Sequence, residues 1–295
     1  MRKLTICLFL IATSAFGQQE PLFTQFWNSL TYFNPATGGQ QNKMEAYALG
    51  RTQWTNINGH PSTLLGTYMT QVKSSNHSVG GSFMHDNIGY LRSEILKATY
   101  AYHLNLGNYS TLSFGASAGL KYLKVSDKII FFDPPSPSFY QGSYRFLADF
   151  GVAFHRRRFD VGLSLTQLPR STYANGFKDQ THLFAFAGYT LRVTRKFSIR
   201  PQAFYRSDFT FNSLDLGALF RYKDWYVGAV YRSSDALGII AGWDIKNRFR
   251  VNYSYDMWFS KLNNSVLGST HEIGLGYMLS KRARPLKVPP PTDAF

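Results

Sequence analysis

Gly115-Ala116-Ser117-Ala118-Gly119 is the stretch whose residue types match a nucleophile pattern, G-x-S-x-G. Its chemistry would be acyl transfer from a serine exposed on a strained strand-to-helix turn, with a base nearby. Here the pattern sits inside a longer alternation, Leu112, Phe114, Ala116, Ala118, Leu120 and Tyr122 on one face and Ser113, Gly115, Ser117, Gly119 and Lys121 on the other. That places Ser117 in mid-strand, where small inward residues account for the motif without a hydrolase. The seven histidines are scattered, with no H-E-x-x-H and no paired ligand spacing. His271 and Glu272 are adjacent, so on a strand their side chains point to opposite faces. No glycine-rich phosphate loop opens a helix, and the sequence offers no catalytic residue, no metal site and no cofactor site. Asp149, Asp160, Asp215, Asp244 and Asp256, with Arg200, Arg221, Arg232 and Arg250, are read as ion pairs across an interior, where an unpaired charge would be costly.

The chain that must position these groups opens with an export signal. Arg2 and Lys3 precede an apolar run from Leu4 to Ala12, and Ala15-Phe16-Gly17 precedes polar Gln18. Cleavage is expected between Gly17 and Gln18, which makes 1–17 a signal peptide. The apolar run is too short to span a bilayer as a helix, and no later stretch is long and uncharged enough to do so. The only cysteine, Cys7, leaves with the signal, so the mature chain has no thiol chemistry. Aromatic residues make up 17% of the chain, glycines number 24, and charged residues make up only 17%. Exported, aromatic-rich and charge-poor is the profile of an outer-membrane β-barrel. The net charge of +15 points to an anionic lipid leaflet or an acidic partner, since an exported protein meets no nucleic acid.

From 44 to 281 the sequence is nearly all period-two segments broken by Gly, Asn, Asp, Pro or Lys/Arg clusters. Phe146, Ala148, Phe150, Val152 and Phe154 oppose Asp149, Gly151 and His155, and Phe249, Val251, Tyr253 and Tyr255 oppose Arg250, Asn252, Ser254 and Asp256. Apolar faces ending in aromatics fit lipid with interfacial girdles, and the other face is too polar for a packed sandwich core. The expected fold is therefore an all-β, antiparallel transmembrane barrel of about 14 strands, with both chain ends on the periplasmic side. Connections near 53–61, 123–144, 169–180 and 258–269 are long, whereas those near Arg156-Arg157-Arg158, Arg195, Lys223 and Lys246 are tight. Long loops outside and short turns inside follow the outer-membrane rule.

The short turns are also the basic ones, which predicts a cationic periplasmic rim. Attraction to anionic lipid is the simplest account of it. Ahead of the barrel, 18–43 holds Phe23, Phe26, Trp27, Tyr32 and Phe33 without a strand period. So aromatic a segment is expected to plug the lumen or pack beneath the barrel, with an irregular first strand as the alternative. A Pro-rich periplasmic tail, 282–295, follows the last strand. Phe23, Phe26 and Trp27, together with Arg156, Arg157 and Arg158, form a candidate surface for periplasmic partners.

Several stretches in order resemble the PorP/SprF family of type IX secretion system outer-membrane proteins. Gln19-Glu20-Pro21-Leu22-Phe23-Thr24-Gln25-Phe26 and Asn34-Pro35-Ala36 are similar to its N-terminal elements. Arg51-Thr52-Gln53-Trp54 is followed by Gly59-His60-Pro61, then by Asp86-Asn87-Ile88-Gly89 and Asp133-Pro134. Near the end come Tyr231-Arg232 with Asp235, Tyr253-Ser254-Tyr255-Asp256, and Gly268-Ser269-Thr270-His271-Glu272. The resemblance implies a non-enzymatic role in moving proteins with C-terminal sorting domains across the outer membrane or attaching them to the surface, gliding adhesins among them. It also implies periplasmic partners within the secretion machinery. The alternative of a different class is a transport barrel for hydrophobic small molecules, which also uses an N-terminal hatch containing Asn-Pro-Ala.

Overall fold

A computed structural model describes residues 21, 23–73, 75–107, 109–126, 140–170, 172–173, 178–233, 236–259 and 268–280. The strands are β1 (Asn42–Thr52), β2 (Ser62–Gln71), β3 (His77–Ile88), β4 (Leu91–Gly107), β5 (Ser110–Val125), β6 (Ser143–Arg156), β7 (Phe159–Leu168) and β8 (His182–Tyr189). They continue as β9 (Leu191–Arg192), β10 (Phe197–Ser207), β11 (Asn212–Tyr222), β12 (Trp225–Arg232), β13 (Ala236–Ile245), β14 (Phe249–Trp258) and β15 (Thr270–Ser280). The two-residue β9 continues β8 along the same partner, β10, so fourteen antiparallel spans circle the lumen. β1 pairs with both β2 and β15, which closes the sheet and leaves no edge. Closure is what membrane insertion demands, because lipid cannot satisfy an open strand edge.

Alternation sets the two faces. Leu96, Phe150, Leu163, Val227, Ile239 and Leu275 are exposed on the outside, at mid-strand positions. Exposed aromatics gather towards both ends: Tyr109, Tyr189, Tyr222 and Trp225 near the tight turns, Tyr90, Tyr144, Phe209 and Tyr231 near the other end. Tyr and Trp at both rims are the expected interfacial girdles. Trp225 and Trp243 stack across β12 and β13 with ring centroids 4.8 Å apart. The connections at the end opposite the tight turns are less uniform than expected from the sequence. The Gln53-to-Pro61 connection is long, but Gly89-Tyr90 joins β3 to β4 in two residues, which Gly89 allows at φ 59°.

Residues 23–41 do not form a strand. They run inside the barrel as a 3-10 turn (Phe26–Asn28), one helical turn (Leu30–Phe33) and a second 3-10 turn (Pro35–Thr37). Phe23, Phe26, Tyr32, Phe33 and Ala36 are buried in one cluster with inward side chains of the wall, among them Leu49, Met84, Ile95, Leu147, Phe184 and Phe204. Phe26 stacks on Phe204 at 4.7 Å, and Phe33 meets Phe184 at 5.0 Å. The inner face is small or polar on many segments but not on all of them. It turns bulky and apolar where it must cover the aromatics of the segment, since apolar surface left in a wet lumen would forgo its burial.

Candidate functional site

The lumen segment is seated at two places. At the first, Asn34-Pro35-Ala36 lies against a shallow track of inward glycines on β5, β6 and β7. A Cβ on Gly115 would fall 2.2 Å from the Ala36 nitrogen, and one on Gly151 would fall 2.1 Å from Asn34 Oδ1. Gly115 and Gly151 are cross-strand partners, so the two bare positions lie side by side. Asn34 Nδ2 donates to the carbonyls of Val152 and Leu163, both at 3.1 Å, while its Oδ1 accepts from Ala36 N at 3.0 Å. Gly115 and Ser117 of the nucleophile-like motif are thus wall residues. Ser117 Oγ lies 2.9 Å from Thr99 Oγ1, and neither hydroxyl is a base.

The second seat is a buried ionic latch on β1, β12, β14 and β15. Glu272 is completely buried and accepts from the backbone amides of Thr24, at 2.8 Å, and Gln25, at 3.2 Å. Arg51 donates to the same carboxylate and lies 3.5 Å from Asp256. Thr24 Oγ1 donates to Asp256 at 2.6 Å and accepts from Arg232 Nη2 at 3.3 Å. Arg232 reaches Asp215 at 3.4 Å, and Arg206 reaches the same aspartate at 3.3 Å. Signs alternate through the network, so each buried charge faces its opposite. Removing charges from water is expensive, and a network of this kind is better read as a device for position than as a source of stability. What it positions is the Thr24-Gln25 peptide. A Cβ on Gly238 would fall 2.3 Å from Thr24 Cγ2, so the wall is also cut back to admit this residue.

Further pairs line the rest of the wall. Lys97 Nζ lies 2.8 Å from Asp149 and 4.3 Å from the Tyr32 ring centroid, so this inward lysine serves both a carboxylate and the lumen segment. Asp160 pairs with Arg200 at 2.7 Å and with His155, and Asp244 pairs with Arg250 at 2.6 Å and with Arg221. Near the tight-turn end, Trp27, Glu45, Tyr47, Phe186, Arg200 and Arg250 line a recess of about 210 Å³. In the β7–β8 connection, the Tyr173 hydroxyl donates to Asp179 at 2.6 Å, and burial with that bond holds its pKa above the usual phenol value.

Among the motif positions, Arg51, Arg232, Asp256 and Glu272 converge on the latch, and Asn34 and Pro35 sit on the glycine track. Trp54 packs on Trp258 at 6.0 Å, Gln53 N donates to the Pro61 carbonyl at 2.9 Å, and Gly59 O accepts from Gly89 N at 3.1 Å. These order the β1–β2 connection. Tyr255 and His271 do not join the latch: their rings meet edge-on at 5.3 Å, and His271 bonds to Tyr253 on the outward face. Gly17, Gln18, Asp133, Pro134, Asp235 and the tail lie outside the described residues. Phe23 and Phe26 require a correction. At 1% and 2% exposure they belong to the lumen core and cannot form a partner surface, because their burial against Phe33 and Phe204 is what fills the barrel. Trp27 is half-buried above the recess, and Arg156, Arg157 and Arg158 are exposed on the β6–β7 turn. Sequence reasoning missed Lys97, the lumen role of Gly115 and Gly151, and the part played by Thr24 and Gln25. Thr24 and Gln25 lay within a recognised motif, so a signal was present, though not their partners.

The family described as type IX secretion system membrane protein PorP/SprF matches residues 15–277. No curated sequence relative matches. Among solved structures, the CymD monoaromatic hydrocarbon channel aligns with a TM-score of 0.56 at 12% identity, covering 87% of this chain and 93% of that one. The Ralstonia pickettii toluene transporter TbuX aligns at 0.52 and 11%, covering 86% and 93%, and a Pseudomonas aeruginosa FadL homologue at 0.52 and 11%, covering 85% and 94%. At these identities the likeness is one of fold: a fourteen-strand outer-membrane barrel.

Proposed function

Since the chain belongs to the family of type IX secretion system membrane proteins PorP/SprF, we propose that this outer-membrane barrel is a non-enzymatic component of that machinery. It aids the translocation or surface attachment of proteins with C-terminal sorting domains, gliding adhesins being one such class. Its partners are periplasmic proteins of the secretion complex and the cargo itself. The observation that carries the reading is the family match along 15–277, supported by what its motif residues do: Arg51, Arg232, Asp256 and Glu272 hold Thr24 and Gln25 in the lumen rather than a reacting group. A barrel filled by its own chain suits a docking component that must stay sealed in the absence of cargo.

Transport of hydrophobic small molecules is the second reading, favoured by the fold shared with the hydrocarbon channels and by the aromatic cluster of the lumen. Purification from the native membrane separates the two. A secretion component brings periplasmic proteins and sorting-domain cargo with it and yields no enriched apolar ligand on solvent extraction. Recovery of a stoichiometric apolar ligand without those proteins would reverse the order of the readings.

A further inference from the structure

Neither the latch nor the lumen uses the basic short turns. On the structure they lie on every described connection at the tight-turn end except the one closed by Tyr109. Lys73 lies between β2 and β3, Arg156 to Arg158 between β6 and β7, and Arg195 with Lys196 between β9 and β10. Lys223 follows β11, and Lys246 with Arg248 follows β13. All are exposed, and the only acid among the described residues of these turns is Asp224.

Two observations give the ring a direction. Arg157 lies 5.4 Å from the ring of Tyr109, and Lys223 lies 5.6 Å from the ring of Tyr222. Tyr222 is an exposed girdle residue on the outward face of β11, so Lys223 folds back over the lipid side, and Arg157 lies against the exposed Tyr109 of the neighbouring β4–β5 turn. In addition, Arg157, Lys223 and Lys246 hold φ of 53°, 53° and 51°. Turns of that geometry favour Gly, Asn or Asp, so the charged side chains stand where the backbone alone would select something else. A protein-docking patch would gather on one sector, and its aromatic half is absent here, since Phe23 and Phe26 are buried. The cations instead follow the circumference of the rim, turn after turn.

We propose that the periplasmic rim is a binding surface for anionic phospholipid headgroups of the inner leaflet, whose phosphates meet the Lys and Arg side chains between the girdle aromatics. Trp225 and Trp243 supply the reporter, because they lie on the same rim and are the most exposed tryptophans in the chain.

The full mature protein is reconstituted into phosphatidylcholine vesicles containing dibrominated phosphatidylglycerol or dibrominated phosphatidylcholine, and tryptophan quenching is measured. Anionic lipid is expected to be selected by at least about threefold at low salt, with the preference collapsing at 1 M salt. A Lys223→Gln, Lys246→Gln, Arg248→Gln variant that keeps its heat-modifiable mobility should lose most of the preference. Equal quenching by the two lipids in the unaltered protein would overturn the proposal and does not depend on any variant folding. Unchanged selectivity in a folded variant would overturn it too. So would unchanged selectivity accompanied by loss of co-purified periplasmic proteins, which would assign the rim to protein docking.

Discussion

Glu272→Gln should release the lumen segment while leaving the barrel intact. The wild-type carboxylate accepts from two backbone amides, Thr24 and Gln25, and from Ser254 Oγ at 3.1 Å, while pairing with Arg51. An amide of the same shape turns one acceptor into a donor, which then faces a backbone N–H. It also leaves Arg51 with Asp256 at 3.5 Å as its remaining carboxylate. Loss of one member of a buried ion pair costs about 3–5 kcal/mol. The bonds from the Thr24 and Gln25 amides join the lumen segment to the wall, whereas those from Arg51 and Ser254 join β15 to β1 and β14, so only the share carried by the two amides falls on the seated state. A hydrogen bond to a charged group is worth about 1.5–3 kcal/mol, so with one such bond lost and about 1.4 kcal/mol per decade, the unseated population should rise by at least about tenfold. Hydrogen exchange read on peptides spanning 23–37, in a variant that retains heat-modifiable mobility, gives the answer. His271→Gln is the control, since it changes the neighbouring residue on the opposite, outward face. Slow exchange of 23–37 in both variants would refute the latch.

Gly151→Val should unseat Asn34-Pro35-Ala36 by collision, because even a Cβ there would meet Asn34 Oδ1 at 2.1 Å; limited proteolysis should then cut within 23–41 but leave the strands whole. Phe150→Arg, on the lipid face at 56% exposure, should lower folding stability in bilayers by about 2–4 kcal/mol, and an unchanged denaturant midpoint in lipid would mean that the strand register is wrong. Ser117→Ala removes only a hydroxyl paired with Thr99, so cargo at the cell surface should be unchanged, and its loss in a stably inserted protein would revive a catalytic reading.

The barrel was legible because its signal is local. Alternation such as Phe146, Phe150 and Phe154 against Asp149 needs no knowledge of the partner strand. The aromatic girdles follow from the same alternation at the strand ends. Ion pairs were legible in kind, as the carboxylates and arginines of Asp160–Arg200 and Asp244–Arg250 had to be paired inside, but partner choice depends on a register that sequence does not carry. Lys97 was invisible for a different reason, since an inward lysine reads like any surface lysine until Asp149 and Tyr32 are placed beside it. The lumen segment was the hardest part. It packs against a curved wall through short turns, so its aromatics have no period. On β8 the usual pattern is inverted, with Phe184 and Phe186 inward and Ala185 and Ala187 outward, because the wall must match the segment it covers.

A role in protein secretion is decided by quantitative proteomics of cell surface, periplasm and medium in a strain lacking this chain, with the intact gene restored as the reference. A set of proteins with C-terminal sorting domains is expected to disappear from surface and medium, accumulate in the periplasm, and return on restoration. An unchanged distribution of those proteins, together with slowed growth on or uptake of an apolar small molecule, would contradict it and make the barrel a transporter.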